Sequence, residues 1–321
     1  MSTPLRVGTR GSCLALGQTG QIVERLRQAG CEVVIETIST RGDTRGDEPV
    51  AALGSDGVYV RELERALLDG RIDVAVHSLK DMPTAGVPGL VIGCVPARAT
   101  PFDALVSRAG MSLETLPVGA KIGTSSIRRA VQIAAARPDL VIRPLHGNVD
   151  TRLARLDAGD YDALVLAAAG LERLGLGDRA TSLLEPPIFW PAVGQGALAL
   201  QIRCDDERAA HSIAPLDHAA THVAVRAERS CLAELSGGCL APVAGFARLV
   251  GARLYLGARV LEQDGRHVTE VTAEEDAAIV DPAAQGAGHM ADALGRQVAS
   301  RLRDAGADAM LARMRVLTAG P

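Results

Sequence analysis

Residues 58–77 read VYVRELERALLDGRIDVAVH, and this stretch decides the fold class. Val58–Asp69 sets apolar residues at helical spacing between charged ones, and Gly70 supplies a stop signal. Ile72–His77 is a short apolar run of the kind that forms a buried strand. Upstream, Leu5–Thr9 is a strand candidate, and Leu14–Ala29 has helical periodicity closed by Gly30. Cys31–Ser39 alternates and is rich in Val and Ile, so it reads as another strand. Strand and helix patterns in alternation predict an α/β sheet with parallel strands.

A second series starts after Ala99-Thr100-Pro101. Asp103–Ser107 and Lys121–Thr124 read as strands, the latter passing through Ser125-Ser126 into a helix that ends at Ala136. Leu140–Arg143, a helix around Asp150–Asp157, and Asp162–Ala167 continue the alternation until Glu185-Pro186-Pro187 and Pro191 break it. Two tandem α/β units follow, hinged near residues 97–102 and 186–196. The last third differs. A helix pattern spans roughly 216–235, and Val243–Leu249, Arg253–Val260 and Val268–Thr272 read as hairpin-linked strands with an Asp264-Gly265 turn. An Ala-rich helix follows Pro282. This predicts a separate α+β unit.

Composition narrows the function. The chain has 321 residues, 47% hydrophobic and 22% charged, as in ordinary globular proteins. Aromatic residues are only 2%, which excludes a stacking platform for single-stranded nucleic acid. A net charge of −4 gives no basic field for nucleic acid or anionic membrane. No apolar run approaches the roughly 18 residues of a membrane span, and the first residues carry no secretory pattern. Six scattered cysteines suit a reduced, cytoplasmic chain. Of 34 basic residues only Lys80 and Lys121 are lysines, which hints that a lysine is retained for its compact, titratable charge.

Several familiar patterns are set aside. Thr-Arg-Gly-Asp occurs twice between Thr40 and Asp47, but a polar loop explains it better than adhesion. Gly175-Leu-Gly177 and Gly194-Gln-Gly196 lack the strand and helix context of a dinucleotide fingerprint. His218 and His222 could share a helix face but have no third ligand, so no metal site is expected.

Four constellations carry chemistry. His77-Ser78-Leu79-Lys80-Asp81 follows the buried strand directly. Carboxyl ends of strands face the ligand crevice in open α/β sheets. A Lys–Asp pair there can anchor a carboxylate, move protons and face a developing cation; a surface ion pair is the plain alternative. Gly123-Thr124-Ser125-Ser126-Ile127-Arg128-Arg129 leads from strand into helix. Its backbone N–H groups, helix dipole and guanidinium forks make an anion site. Arginines are disfavoured at that end of a helix, so an anionic ligand would resolve the conflict; N-capping beside solvated arginines is the competing reading. Arg10 in Thr9-Arg10-Gly11-Ser12, Arg152 after Gly147-Asn148, and Arg173 each follow a strand pattern or open a helix. Together they suit a ligand with many carboxylates or phosphates, and singly each reads as surface charge. Finally, Ser236-Gly237-Gly238-Cys239 exposes a cysteine on a loop whose exit Pro242 stiffens. An exposed thiolate is a nucleophile or an attachment point. The other five cysteines read as packing.

Taken together, nine stretches resemble the porphobilinogen deaminase (hydroxymethylbilane synthase) family, in family order and over nearly the whole chain. They are Thr9–Leu16, Thr40–Asp43, Glu62–Leu68, His77–Pro83, Gly123–Arg129, Gly147–Leu153, Ala167–Gly175, Pro191–Ala197 and Gly237–Pro242. The resemblance implies two periplasmic-binding-protein-like α/β domains flanking a cleft, plus a smaller α+β C-terminal domain. Their expected extents are 1–98 with 197–215, 102–191, and 219–321. It also implies a transferase of tetrapyrrole (heme) biosynthesis. Such an enzyme joins four porphobilinogens head to tail on a covalent dipyrromethane primer, releases ammonia and frees hydroxymethylbilane.

In that reading Cys239 carries the dipyrromethane cofactor by a thioether and Asp81 is the central acid. Lys80, Ser78, Thr124, Ser125, Ser126, Arg128, Arg129, His146 and Gly147 hold the cofactor. Arg10, Ser12, Arg152, Arg173 and Gln195 hold substrate, whose pyrroles each bear an acetate and a propionate. The protein is expected to be a cytoplasmic monomer with no metal, nucleic acid or membrane partner. Two residues depart from the family pattern. His146 stands where an arginine is usual, and an imidazole lacks the guanidinium fork that grips a carboxylate. Asp56 stands where a lysine is usual and would repel carboxylates if it faced the cleft. Two other readings follow: a diverged paralogue with impaired elongation, and a non-catalytic binder of an anionic ligand.

Overall fold

The computed structural model describes residues 3–40, 57, 59–235, 242–264, 267–279 and 281–319. The Arg-Gly-Asp repeats and Asp56 lie outside these residues, as does Cys239.

β1 (Leu5–Thr9), β2 (Val33–Thr37), β3 (Val74–Ser78), β4 (Leu90–Cys94) and β10 (Leu198–Arg203) form one sheet in the order β2-β1-β3-β10-β4. β5 (Asp103–Ser107), β6 (Lys121–Gly123), β7 (Val141–Arg143), β8 (Ala163–Ala167) and β9 (Ser182–Leu184) form a second in the order β7-β6-β8-β5-β9. The order is the same in both. In each sheet the first three strands are parallel and a fourth runs antiparallel to its neighbours. The expectation of parallel sheets is therefore corrected to mixed ones. The cause is an exchange. The chain leaves the first sheet after β4 to lay β5 into the second, then returns after β9 to lay β10 into the first.

The helices follow the sequence patterns closely. α1 (Cys13–Gln28) is capped by Ser12, whose Oγ accepts the Ala15 N–H, and buries Ile22, Val23 and Leu26 against the first sheet. α2 (Arg61–Leu68) buries Leu63, Ala66 and Leu67. α3 (Ile127–Ala136), α4 (Val149–Asp157) and α5 (Ala168–Arg173) serve the second sheet, and α6 (Glu207–Ile213) returns to the first. Burying such Leu, Ile and Val side chains contributes about 1.5–3 kcal/mol each.

The two crossovers, residues 95–102 and 185–197, touch at Gly196. Its carbonyl accepts the Ala99 N–H at 3.2 Å. Its φ is +85°, and a Cβ there would lie 2.6 Å from the Ala99 carbonyl oxygen, so only glycine fits.

The third unit is a meander of β11 (Val243–Val250), β12 (Arg253–Asp264) and β13 (His267–Ala278) against α7 (Ala219–Glu234), α8 (Ala287–Asp304) and α9 (Ala307–Ala319). Ala227, Cys231, Leu254, Leu256, Leu294 and Val298 form its core. One buried carboxylate ties this unit to both crossovers. Glu228 on α7 pairs with Arg98 at 2.6 Å and accepts the N–H groups of Gly194 at 2.7 Å and Ala247 at 2.8 Å. No described helix is long and apolar enough to cross a membrane.

The cysteine expectation needs one correction. Cys94 and Cys231 are buried, and burial pushes both thiols up to about 12. Cys13 and Cys204, however, are exposed rather than packed. Cys13 opens α1 and Cys204 follows β10 in a turn, so both sit where the chain passes from core to surface.

Candidate active site

The apolar run ending at β3 delivers Lys80 and Asp81 on a single 3-10 turn, Leu79–Asp81. Leu79 is buried and anchors the turn, while Lys80 and Asp81 stay half-buried. Ser78, just before it, pairs its hydroxyl with the Gln18 amide of α1 at 3.1 Å. His77 faces inward and meets Gln201 at 3.0 Å. Burial pulls its pKa down to about 4, so it is neutral at physiological pH and serves packing.

β6 delivers the second group. Thr124 is buried, and its Oγ1 accepts the Ser126 N–H. Ser126 caps α3. Ser125 Oγ bonds the backbone of Leu145 at 2.8 Å and reaches His146 Nε2 at 3.3 Å. Gly147 adopts φ +100°, and its carbonyl accepts the Arg152 Nε–H at 2.7 Å. Arg152 is largely desolvated, which draws its pKa down to about 10.

The arginines of α3 are not solvated. Arg128 and Arg129 are 5% and 7% exposed. Both turn onto Asp103, the fully buried first residue of β5. Arg129 donates Nε–H and Nη2–H to Asp103 Oδ1 at 2.9 and 2.6 Å, and Nη1–H to the Val165 carbonyl at 3.0 Å. Arg128 Nη1 lies 2.8 Å from Asp103 Oδ2 and donates to the Trp190 carbonyl at 2.6 Å. Gln195 donates to Asp103 Oδ1 at 3.1 Å and accepts from Lys80 Nζ at 3.3 Å. Burial opposes ionisation of Asp103, but Arg128 and Arg129 hold its carboxyl well below the usual carboxylate range. Burial and the Arg129 charge bring Lys80 down to about 8, against the pull of Asp81 and Asp103.

Sequence reasoning expected a ligand anion to settle the arginines at this helix start. Here a protein carboxylate already does so. Asp103 was missed, yet its position carried a signal: an acid opening an apolar strand must find a cation when buried.

The structure thus joins Lys80, Gln195, Arg128 and Arg129 around one carboxylate, with Asp81 next to Lys80 in sequence. Ser125 joins His146, and Gly147 joins Arg152. Arg10 lies over the Tyr59 ring with its guanidinium 4.0 Å from the centroid. Ser12 remains at its helix cap. Arg173 goes elsewhere: its Nη2–H bonds the Gly196 carbonyl at 2.7 Å, at the crossing of the two connections. β11 begins against the same connection, with Gly245 N–H donating to the Pro191 carbonyl at 3.0 Å. His218 caps α7 and His222 pairs with Asp217 at 2.9 Å.

Three buried or half-buried cations around Asp103 make a cationic cluster, a donor set of the kind that binds polycarboxylates. The fold is thus a two-lobed α/β protein with such a cluster beside the Asp81 carboxyl. Residues 5–211 match the family model "Porphobilinogen deaminase, dipyromethane cofactor binding domain". Residues 222–304 match "Porphobilinogen deaminase, C-terminal domain". A porphobilinogen deaminase of Roseiflexus castenholzii is 46% identical over 314 residues, covering 97% of this chain and 100% of that one. One from Xanthomonas axonopodis pv. citri is 46% identical over 315 residues, with the same coverage of both chains. The solved methionine binding protein MetQ is 14% identical, with TM-score 0.43, covering 66% of this chain and 89% of its own. The chain belongs to the porphobilinogen deaminase family.

Proposed function

We propose that this protein is a porphobilinogen deaminase, condensing four porphobilinogens head to tail and releasing ammonia and hydroxymethylbilane. The reading rests on relatives of that name that align along their full length. Its working units are residues 1–98 with 197–215, 102–191, and 219–321, and the protein acts as a cytoplasmic monomer. Free cysteines among the described residues suit that compartment.

When bound through Cys239, the dipyrromethane supplies the free pyrrole carbon on which the chain is extended. Asp81 gives a proton to the departing amine of porphobilinogen, then faces the resulting cation as a carboxylate. Lys80, Arg128 and Arg129 hold cofactor carboxylates, and Gln195 fixes the direction of the Lys80 ammonium. Thr124, Ser125 and Ser126 present hydroxyls and N–H groups at the start of α3, with Ser78, His146 and Gly147 alongside. Arg10 with Ser12 from the first lobe, and Arg152 from the second, take the arms of incoming substrate. Arg173 engages substrate by exchanging the Gly196 carbonyl for a carboxylate.

The test is a turnover assay on the purified protein with porphobilinogen. Ammonia and hydroxymethylbilane are expected together. Tight binding of porphobilinogen with neither product would overturn the reading.

A further inference from the structure

The cationic cluster has a member that the proposed cofactor-binding set does not contain. Asp103 is fully buried, opens an otherwise apolar strand, and accepts from Arg129 twice and Gln195 once while lying against Arg128. Gln195 carries the link on to Lys80 in the other lobe. Arg128 keeps Nε and Nη2 without a protein acceptor among the described residues. With Asp81 beside Lys80 and Asp103 between the arginines, the three cations still outnumber the two carboxylates by one charge.

We infer that Asp103 is a positioning residue, a resident counter-ion that gathers Arg128, Arg129 and, through Gln195, Lys80 into one constellation before any ligand arrives. It leaves the cluster with a net positive charge, which a carboxylate arm of a pyrrole ring neutralises. The inference rests on the polycarboxylate cofactor proposed above. A full set of counter-ions would give the ligand nothing to neutralise. With none, three like charges would be crowded into a buried site, and the self-repulsion would spread the arginines or unfold the strand start. Self-repulsion grows roughly with the square of net charge. Removing Asp103 therefore raises the cost steeply while the site is empty and much less once ligand carboxylates are in place.

The test compares wild type, Asp103→Asn and Asp103→Asn with Arg128→Gln. All are produced as apoprotein in a host unable to make porphobilinogen. Melting temperature and intact mass are read before and after incubation with porphobilinogen. The Asp103→Asn apoprotein should melt about 5–10 °C below wild type. After both have gained the mass of two pyrrole units, that gap should shrink to less than half. A purely structural carboxylate would leave the gap unchanged on loading, and that result would overturn the proposal. In the apoprotein, the double variant should melt higher than Asp103→Asn, because one of three repelling charges is gone; a further fall would also overturn it. If Asp103→Asn alone does not fold, recovery of soluble protein in the double variant supports the counter-ion role, and no recovery refutes it. A wild type that gains no mass would instead remove the cofactor reading, while the apoprotein pair would still decide the role of Asp103.

Discussion

The two α/β lobes share one strand order but use equivalent positions for opposite ends. After the second strand in each sheet order, β1 and β6, comes a serine-capped helix: Ser12 caps α1 and Ser126 caps α3. In the first lobe the arginine, Arg10, precedes the cap and lies over Tyr59. In the second the arginines follow the cap and plunge onto Asp103. After the third strand the contrast reverses. β3 runs into Lys80 and Asp81, whereas β8 runs into Ala168-Ala169-Gly170 and reaches only Arg173. The first lobe thus presents a Lys80–Asp81 turn and the second a buried arginine pair on Asp103. A duplicated frame can thus divide proton chemistry from charge binding, because each strand end is a separate place to put a side chain.

The sharpest way to break this contrast is at the acid. Asp81→Asn should leave the fold and cofactor loading intact and lower turnover at least 10²-fold, the usual loss for a general acid. Turnover near wild type would take the proton chemistry away from the first lobe. The matching change in the second lobe is Arg129→Leu. It strips Asp103 of its main donor inside the core and should cost about 3–5 kcal/mol in denaturant unfolding, with weaker uptake of the cofactor. An unchanged midpoint would mean that the buried pair contributes nothing.

A third change tests the interior of the first lobe. His77 is neutral in the folded protein with a pKa near 4, against 6.5 in the unfolded chain. Between those values the unfolded chain binds a proton that the folded one refuses, so stability falls as pH drops through this window. The loss is about 3 kcal/mol, complete near pH 4. His77→Gln should flatten that part of the stability profile; an identical slope would assign it to other groups. The smallest effect is expected at His146, which touches Ser125 at the rim of the second lobe. His146→Arg adds a fixed positive charge to the charge-binding side and should raise turnover by a few-fold. No gain, or a loss, would show that the histidine is adapted to its place.

The alternation of residues 58–77 and the hydroxyl-rich start of α3 were readable because they depend on local periodicity and capping. The exchange of β5 and β10 was not, since nothing local tells a strand which sheet it will join. Leu198–Arg203 carries only Gln201 and Arg203 among apolar residues, and neither marks which lobe it joins. The site followed the same division. Lys80, Asp81, Arg128 and Arg129 stand out by residue type and position. Their partner Asp103 comes from 25 residues before Arg128 across another strand, and only the fold brings it close. Arg173 illustrates the converse: its residue type suggested a ligand, while its nearest acceptor is the Gly196 carbonyl of a connecting segment.

The central claim is a covalently primed enzyme, and intact mass under denaturing conditions tests it most directly. Purified protein should exceed its sequence mass by two linked pyrrole units, and Cys239→Ala should not. Protein lacking the excess even after incubation with porphobilinogen, or a Cys239→Ala variant that still carries it, would contradict the account.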